Sequence, residues 1–263
     1  MLLATLCLVA AVAAYGWSGL RLASGSREEG GALRSGDWWI GTGLQGVGFL
    51  TSLIARTVLP LLLVQSAIAG ALAVTALLEH LNGVRRLTRA EAAAVAAVVA
   101  GIAAVAVAVV PGPARAPGAG DLAALVALLV GSAIACAVLH HPWLLGACSG
   151  TAFGAGAIAA RLLVGGADLG EVVRFWQWTP LTWAIALCMP AGIVVGQWAL
   201  TRGLARGESV AALGGDYLLA TVVPSLFGLL VLGESLRPGL AFLAALGVLA
   251  ALLGTHRLLV GGR

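Results

Sequence analysis

The chain alternates between long apolar runs and short polar breaks. A helix that crosses the hydrocarbon core of a bilayer needs about 20 residues at about 1.5 Å each. Apolar runs of roughly that length cover Met1 to Leu22, Trp38 to Ala55, Leu61 to Val84, Glu91 to Val110, Leu122 to Leu139, Trp143 to Val164, Pro180 to Leu200, Ser209 to Gly233 and Leu240 to Leu259. The breaks carry residues that end helices: Arg56 with Pro60, Arg85-Arg86, His140-His141-Pro142, and Arg237-Pro238-Gly239. The pattern predicts nine transmembrane helices in a single membrane domain. Four lie in residues 1–111 and five in 121–263, with the Pro- and Gly-rich linker 112–120 between them.

Composition settles which solvent these runs face. Hydrophobic residues make up 60% of the chain and charged residues 10%, and the mean hydropathy is +1.03. Soluble domains carry about 25% charged residues, so this apolar surface has to be covered by lipid. Lipid offers the backbone no hydrogen bonds, and the alternating pattern of a membrane barrel is absent, so the spans are helices. The expected class is an all-α polytopic protein of a bacterial cell membrane. The first run has no basic leader and reads as a span rather than a signal peptide. Trp38-Trp39 and the RFWQW segment from Arg174 to Trp178 read as interfacial anchors.

The basic residues add orientation. All fifteen are Arg, the net charge is +4, and they are scattered among the breaks, a pattern of topology signals rather than of a nucleic-acid surface. With the amino terminus outside and the carboxyl terminus cytoplasmic, the inner face receives Arg21, Arg27, Arg34, Arg85, Arg86, Arg89, Arg202, Arg206, Arg257 and Arg263. The outer face receives Arg56, Arg115, Arg161, Arg174 and Arg237, so the bias favours that orientation. Cys7, Cys136, Cys148 and Cys188 sit inside apolar runs without CxxC spacing and read as packing residues. No HExxH, GxSxG or paired catalytic Asp motif occurs, so neither an enzyme nor a cofactor is implied.

The candidate chemistry lies in the few polar residues inside the runs. A carboxylate within a span is costly and should face protein or a water-filled cavity, which singles out Asp216, with Tyr217 beside it, and Glu79. Under the expected topology these two carboxylates lie at similar depth from the cytoplasmic face, and Gln197 and Trp198 join that level. Two readings stand: a shared cation or proton site, or two separate local arrangements. Gln65, nearer the outer face, is a further binding candidate; no metal ligand set is assigned. His80 points away from Glu79 on its helix, and His140 and His141 read as loop residues. Gly41, Gly43, Gly46 and Gly48, and then Gly146, Gly150 and Gly154, read as close helix contacts, with Ser149 and Thr151 on the latter segment.

The chain also repeats. Arg85 to Thr88 laid on Glu234 to Arg237 places Leu61 to Val84 over Val210 to Gly233. The repeated units are then spans two to four and spans seven to nine, an offset of five, so the copies have opposite orientation in the membrane. Inverted repeats of this kind belong to secondary transporters, whose substrate site lies near the midplane.

DWWIGTGLQGVGFLTSLIARTVLPLLLVQSAIAG, RRLTRAEAAAVAAVVAGIAAV and GESLRPGLAFLAALGVLAALLG resemble the core helices and the two GERLT-type turns of the drug/metabolite transporter superfamily. The resemblance covers most of Trp38 to Leu259. The nine-span arrangement and the paired Trp are similar to the NIPA-like branch, whose members are associated with magnesium, and to actinobacterial members. Arg85 stands where the family turn has Glu, so any role of that Glu carries over only to Glu234. The resemblance implies a secondary transporter of a small polar or cationic solute, working by alternating access. The alternatives are a flippase for a lipid-linked substrate and a non-transporting membrane scaffold. Expected partners are membrane lipids and the solute, without nucleic acid; the Gly-rich faces leave a homodimer open.

Overall fold

Polar residues at the edges of the apolar runs fix where each helix begins. In the computed structural model, which describes residues 2–25, 34–81, 88–110, 112–113, 116–165, 174–204 and 209–261, α1 is Leu2–Gly25 and α2 is Gly36–Arg56. Ser35 Oγ accepts the Trp38 amide at 3.3 Å and so starts α2. Helix α3 is Leu61–Ala69, α4 is Ala71–Leu81 and α5 is Arg89–Ala108. Thr88 and Glu91 form a reciprocal cap on α5: the Thr88 amide donates to Glu91 Oε2 at 2.8 Å, and the Glu91 amide to Thr88 Oγ1 at 3.3 Å. Helix α6 is Ala119–Val138 and α7 is Pro142–Val164, with Pro142 in the first turn and His141 Nδ1 accepting the Trp143 amide. Helix α8 is Pro180–Leu204, α9 is Ser209–Leu230 and α10 is Ala241–Gly261.

Four of these helices are long and apolar enough to cross a bilayer: α5, α6, α7, and α8 over Pro180–Gly203. Shorter apolar stretches occupy Leu2–Ser18, Leu61–Thr75, Gly215–Leu230 and Ala241–Arg257. Among the described residues the chain is therefore all-α apart from a two-residue bridge, and it has the helices of a membrane protein.

The expected runs and the observed helices differ at several edges, among them the eighth run, expected to reach Gly233 where α9 ends at Leu230, and two of the differences have a local cause. The third run was expected to continue from Leu61 to Val84, but a turn at Gly70 divides it into α3 and α4. The Gly70 amide bonds to the carbonyls of Ser66 and Ala67, a tightened last turn. A Cβ on Gly70 would lie 2.7 Å from Ile102 Cδ1 of α5, so the glycine also permits that contact. The fourth run was expected to reach Val110, but α5 stops at Ala108. Val109–Val110 (β1) pairs antiparallel with Ser235–Leu236 (β2), Val109 opposite Leu236. Gly233, just before β2, has a φ of +68°, a conformation that favours glycine.

The chain forms two compact units. The first comprises Met1–Ala55, Ser66–Ala108 and Pro238–Arg263. Within it α1 meets α4, where Thr75 Oγ1 donates to the Gly16 carbonyl at 2.7 Å. Helix α5 packs along α10, and a Cβ on Gly247 would lie 2.6 Å from the Gly101 carbonyl. The second unit comprises Arg56–Gln65 and Val109–Arg237. Its central element is α7, which is far more buried than α6 or α8. Helices α6, α8 and α9 all pack on α7, around Leu125, Leu129, Ile158 and Ile185. The four cysteines are free, and Cys136, Cys148 and Cys188 are buried as packing residues.

Of the aromatics read as interfacial anchors, Trp39, Phe175 and Trp176 are exposed, and Trp38 and Trp178 are half-buried. Trp38 and Trp39 meet edge to face at 5.0 Å. Phe175 and Trp176 lie exposed on a single 3-10 turn, Phe175–Gln177, and Trp178 packs on Trp183 at 5.2 Å. The loops holding Arg27, Glu28 and Glu29, the Arg85-Arg86 turn, Arg115, Arg206 and Arg263 lie outside the described residues.

Candidate functional site

Backbone contact between α7 and α9 creates the first polar site of the second unit. Gly146, Gly150 and Gly154 recur every four residues and so share one face of α7. A side chain at Gly146 would strike the backbone of Ala212. One at Gly150 would strike the backbone of Asp216 and Ala220, and one at Gly154 would lie 3.1 Å from the Pro224 ring. The small-residue spacing is thus a close helix contact, and it brings Ser149 against α9. Ser149 Oγ donates to Asp216 Oδ1 at 2.6 Å, and both residues are buried, Asp216 at 8% exposure. A carboxylate can accept several hydrogen bonds, and burial of its charge is costly unless it is well partnered. The arrangement therefore favours the approach of a cation or of further donors.

Tyr217 follows Asp216 and is half-buried. Gln197 is half-buried on α8, where its backbone carbonyl accepts from Thr201 Oγ1 at 2.7 Å. Trp198 is 44% exposed, with the Arg202 guanidinium 5.6 Å from its ring centroid, and serves as an outward-facing aromatic. Gln65 is buried on α3, and its Nε2 has no hydrogen-bond partner among the described residues. Glu79 lies on α4 in the first unit; its side chain lies outside the described residues. Asp216 and Gln65 belong to the second unit. His140 and His141 are exposed at the α6–α7 turn, as expected.

A second buried polar assembly escaped the reading of residues inside the spans. The residue before α3 is Pro60, whose side chain offers no acceptor, so the first amides of α3 need a cap from elsewhere. Glu234 supplies it from 173 residues away: Oε1 accepts the Leu61 amide at 2.5 Å, and Oε2 accepts the Leu62 amide at 3.4 Å. Arg161 near the end of α7 approaches the same carboxylate, Nε to Oε1 at 3.9 Å, and donates through NH1 to the Arg56 carbonyl. Burial pushes the Glu234 carboxyl above its ordinary range, while the two amides and the guanidinium pull it back down. Arg161 and Arg56 are both buried. They were expected to act as topology signals on the outer face; their internal contacts remove both from that comparison. The signal that points to this pair is an Arg within an apolar helix, which requires an acceptor.

A groove of ≈ 380 Å³ lies along α6 and α7, with Leu219 of α9 completing its wall. Among the described residues no group of three or more His, Cys, Asp or Glu side chains is placed to hold a metal ion. Neither a scan against protein-family models nor searches of curated proteins and of solved structures finds a match to this chain.

Proposed function

We propose that the protein is a secondary membrane transporter of a small polar or cationic solute, with Asp216 as the binding carboxylate. The observation that carries this reading is the Ser149–Asp216 pair, buried where α7 and α9 touch backbone to backbone. A carboxylate retained inside an apolar helix marks a solute or ion path by default, because an apolar residue there would cost nothing in desolvation. One hydroxyl donor leaves most of its acceptor capacity for a ligand. The finer architecture belongs to the same proposal: nine spans, amino terminus outside, carboxyl terminus cytoplasmic, and two inverted repeats that rock about the site, as in the drug/metabolite transporter superfamily.

The test is ligand-dependent stability of the detergent-purified protein. Divalent cations, organic cations, amino acids and sugar phosphates are screened against the native chain and Asp216→Asn. A solute that binds only the folded protein raises stability by about 2.7 kcal/mol at a hundredfold excess over Kd. The expected result is a shift by one solute class that is lost in the variant. An equal shift in both proteins would remove Asp216 from the site.

A further inference from the structure

The donors and acceptors of the buried pair in the second unit limit what can complete it. Ser149 Oγ gives its one proton to Asp216 Oδ1 at 2.6 Å, so the hydroxyl has only lone pairs left to offer. The ionised carboxylate likewise offers only acceptors. A ligand that joins this pair has to bring positive charge or hydrogen-bond donors.

Charge sets how much. Asp216 is buried, and among the described residues it has no ion-pair partner. Its bond to Ser149 is to a neutral group, so the pair carries a single negative charge. The other described carboxylates of the second unit are committed elsewhere. Glu234 holds the Leu61 and Leu62 amides beside Arg161, and Asp121 accepts the Gly118 amide at 2.8 Å at the start of α6. A monovalent cation therefore brings the Asp216 pair to neutrality. A divalent cation would leave a net positive charge among apolar helices, which is costly without a second anion.

Packing sets the size. A methyl on Gly146 would strike the backbone of Ala212, and one on Gly215, next to Asp216, would strike the Trp143 carbonyl and lie 2.8 Å from the Ala147 amide nitrogen. One on Gly150 would strike the backbone of Asp216 itself. The carboxylate thus lies where α7 and α9 touch repeatedly along the backbone, and a ligand there has to shed its water. Mg2+ dehydrates reluctantly and keeps several waters in an octahedral shell, so one carboxylate and one hydroxyl in this setting suit it poorly. A quaternary ammonium is bulky and has no N–H to give the acceptors.

We infer that Asp216 and Ser149 bind one small monovalent cation, an alkali-metal ion or the ammonium group of a primary amine, in preference to divalent and quaternary cations. This names the solute class of the site proposed above and rests on that reading. It departs from the magnesium that the NIPA-like resemblance implies.

Thermal unfolding of the full chain in mild detergent, at constant ionic strength, tests it with sodium, potassium, methylammonium, tetramethylammonium and magnesium chlorides. Sodium, potassium or methylammonium should raise Tm saturably, by about 5–10 °C at a hundredfold excess over Kd, and the ion that does so identifies the source of the charge. Magnesium and tetramethylammonium should bind at least about tenfold more weakly. Asp216→Asn should lose the shift, and Asp216→Glu, which keeps the charge, should retain it. The ranking of the five ions is read on the native chain and does not depend on how either variant folds. Magnesium binding as tightly as the monovalent ions, and lost in Asp216→Asn, would overturn the monovalent assignment while leaving Asp216 as the binding carboxylate. Tetramethylammonium binding as tightly as methylammonium would overturn the assignment to a small cation. No shift by any of the five would overturn this inference alone, because the wider solute screen tests Asp216 separately. An equal shift in Asp216→Asn would remove both this inference and the site on which it rests.

Discussion

Replacing Glu234 by Ala removes an acceptor that three groups share. The Leu61 and Leu62 amides lose their cap, and the Arg161 side chain, 7% exposed, loses its counter-charge. Breaking one side of a buried ion pair costs about 3–5 kcal/mol, and losing a helix cap about 1 kcal/mol. The two losses overlap. The pair is long at 3.9 Å and Arg161 keeps its bond to the Arg56 carbonyl, so the low end of the range applies. The expected destabilisation is about 3 kcal/mol, a large share of the roughly 5–15 kcal/mol that holds a typical domain together. Glu234→Gln retains a carbonyl acceptor for the Leu61 amide and should lose about half as much. The assay is denaturant unfolding in mild detergent, followed by tryptophan fluorescence, for the native chain, both single variants, Arg161→Met and the double variant. Arg161→Met should reduce the cost of Glu234→Ala by about 1 kcal/mol or more, because no charge is then left unpaired. A Glu234→Ala protein within about 0.5 kcal/mol of the native chain, or a cost unchanged by Arg161→Met, would refute the shared-acceptor account.

Two further outcomes follow from the same unit. Because burial raises the Glu234 carboxyl, the folded chain holds that proton to higher pH than the unfolded chain does. Its contribution to stability is present below the ordinary glutamate value of about 4.3 and is lost as pH rises through the folded value. Tm against pH should therefore slope downward over that interval in the native protein and less steeply in Glu234→Gln; identical slopes would discount the effect. Gly150→Ala pushes a methyl into the α9 backbone and should cost about 1–3 kcal/mol, whereas Gly131→Ala should stay within about 0.5 kcal/mol. Thermal unfolding of the two variants in one detergent checks the contrast, and equal losses would deny α7 its close contact.

Local pattern made the helices legible, and distant pairing hid their limits. The nine apolar runs predict helices over residues that are helical throughout most of their length, because span length and caps such as Thr88 with Glu91 act within a few residues. Val109 and Val110 suit a helix or a strand equally well, and what decides is a partner at 235–236, more than 120 residues away. Gly70 looks like the other glycines tolerated in membrane helices. Its turn depends on the surroundings of α3 and α4, which spacing alone does not reveal. Arg56 and Arg161 show the limit of charge counting: the rule assumes that an Arg faces water, and these two are buried among protein groups.

The candidate site was legible by half for the same reason. An acidic residue in an apolar run identifies Asp216, and glycines four apart identify a close-packed face on α7. Neither feature states that the two belong together, since the Ser149–Asp216 bond joins residues 67 apart. The structure connects them through distance. Ser149 has a short side chain, so its hydroxyl reaches the carboxylate at 2.6 Å only because α7 and α9 touch at Gly146 and Gly150. Any side chain at those glycines would part the helices, weaken this bond and open the buried carboxylate to other partners. The glycine face and the carboxylate are therefore one device, with the packing of α7 on α9 setting how the charge is partnered.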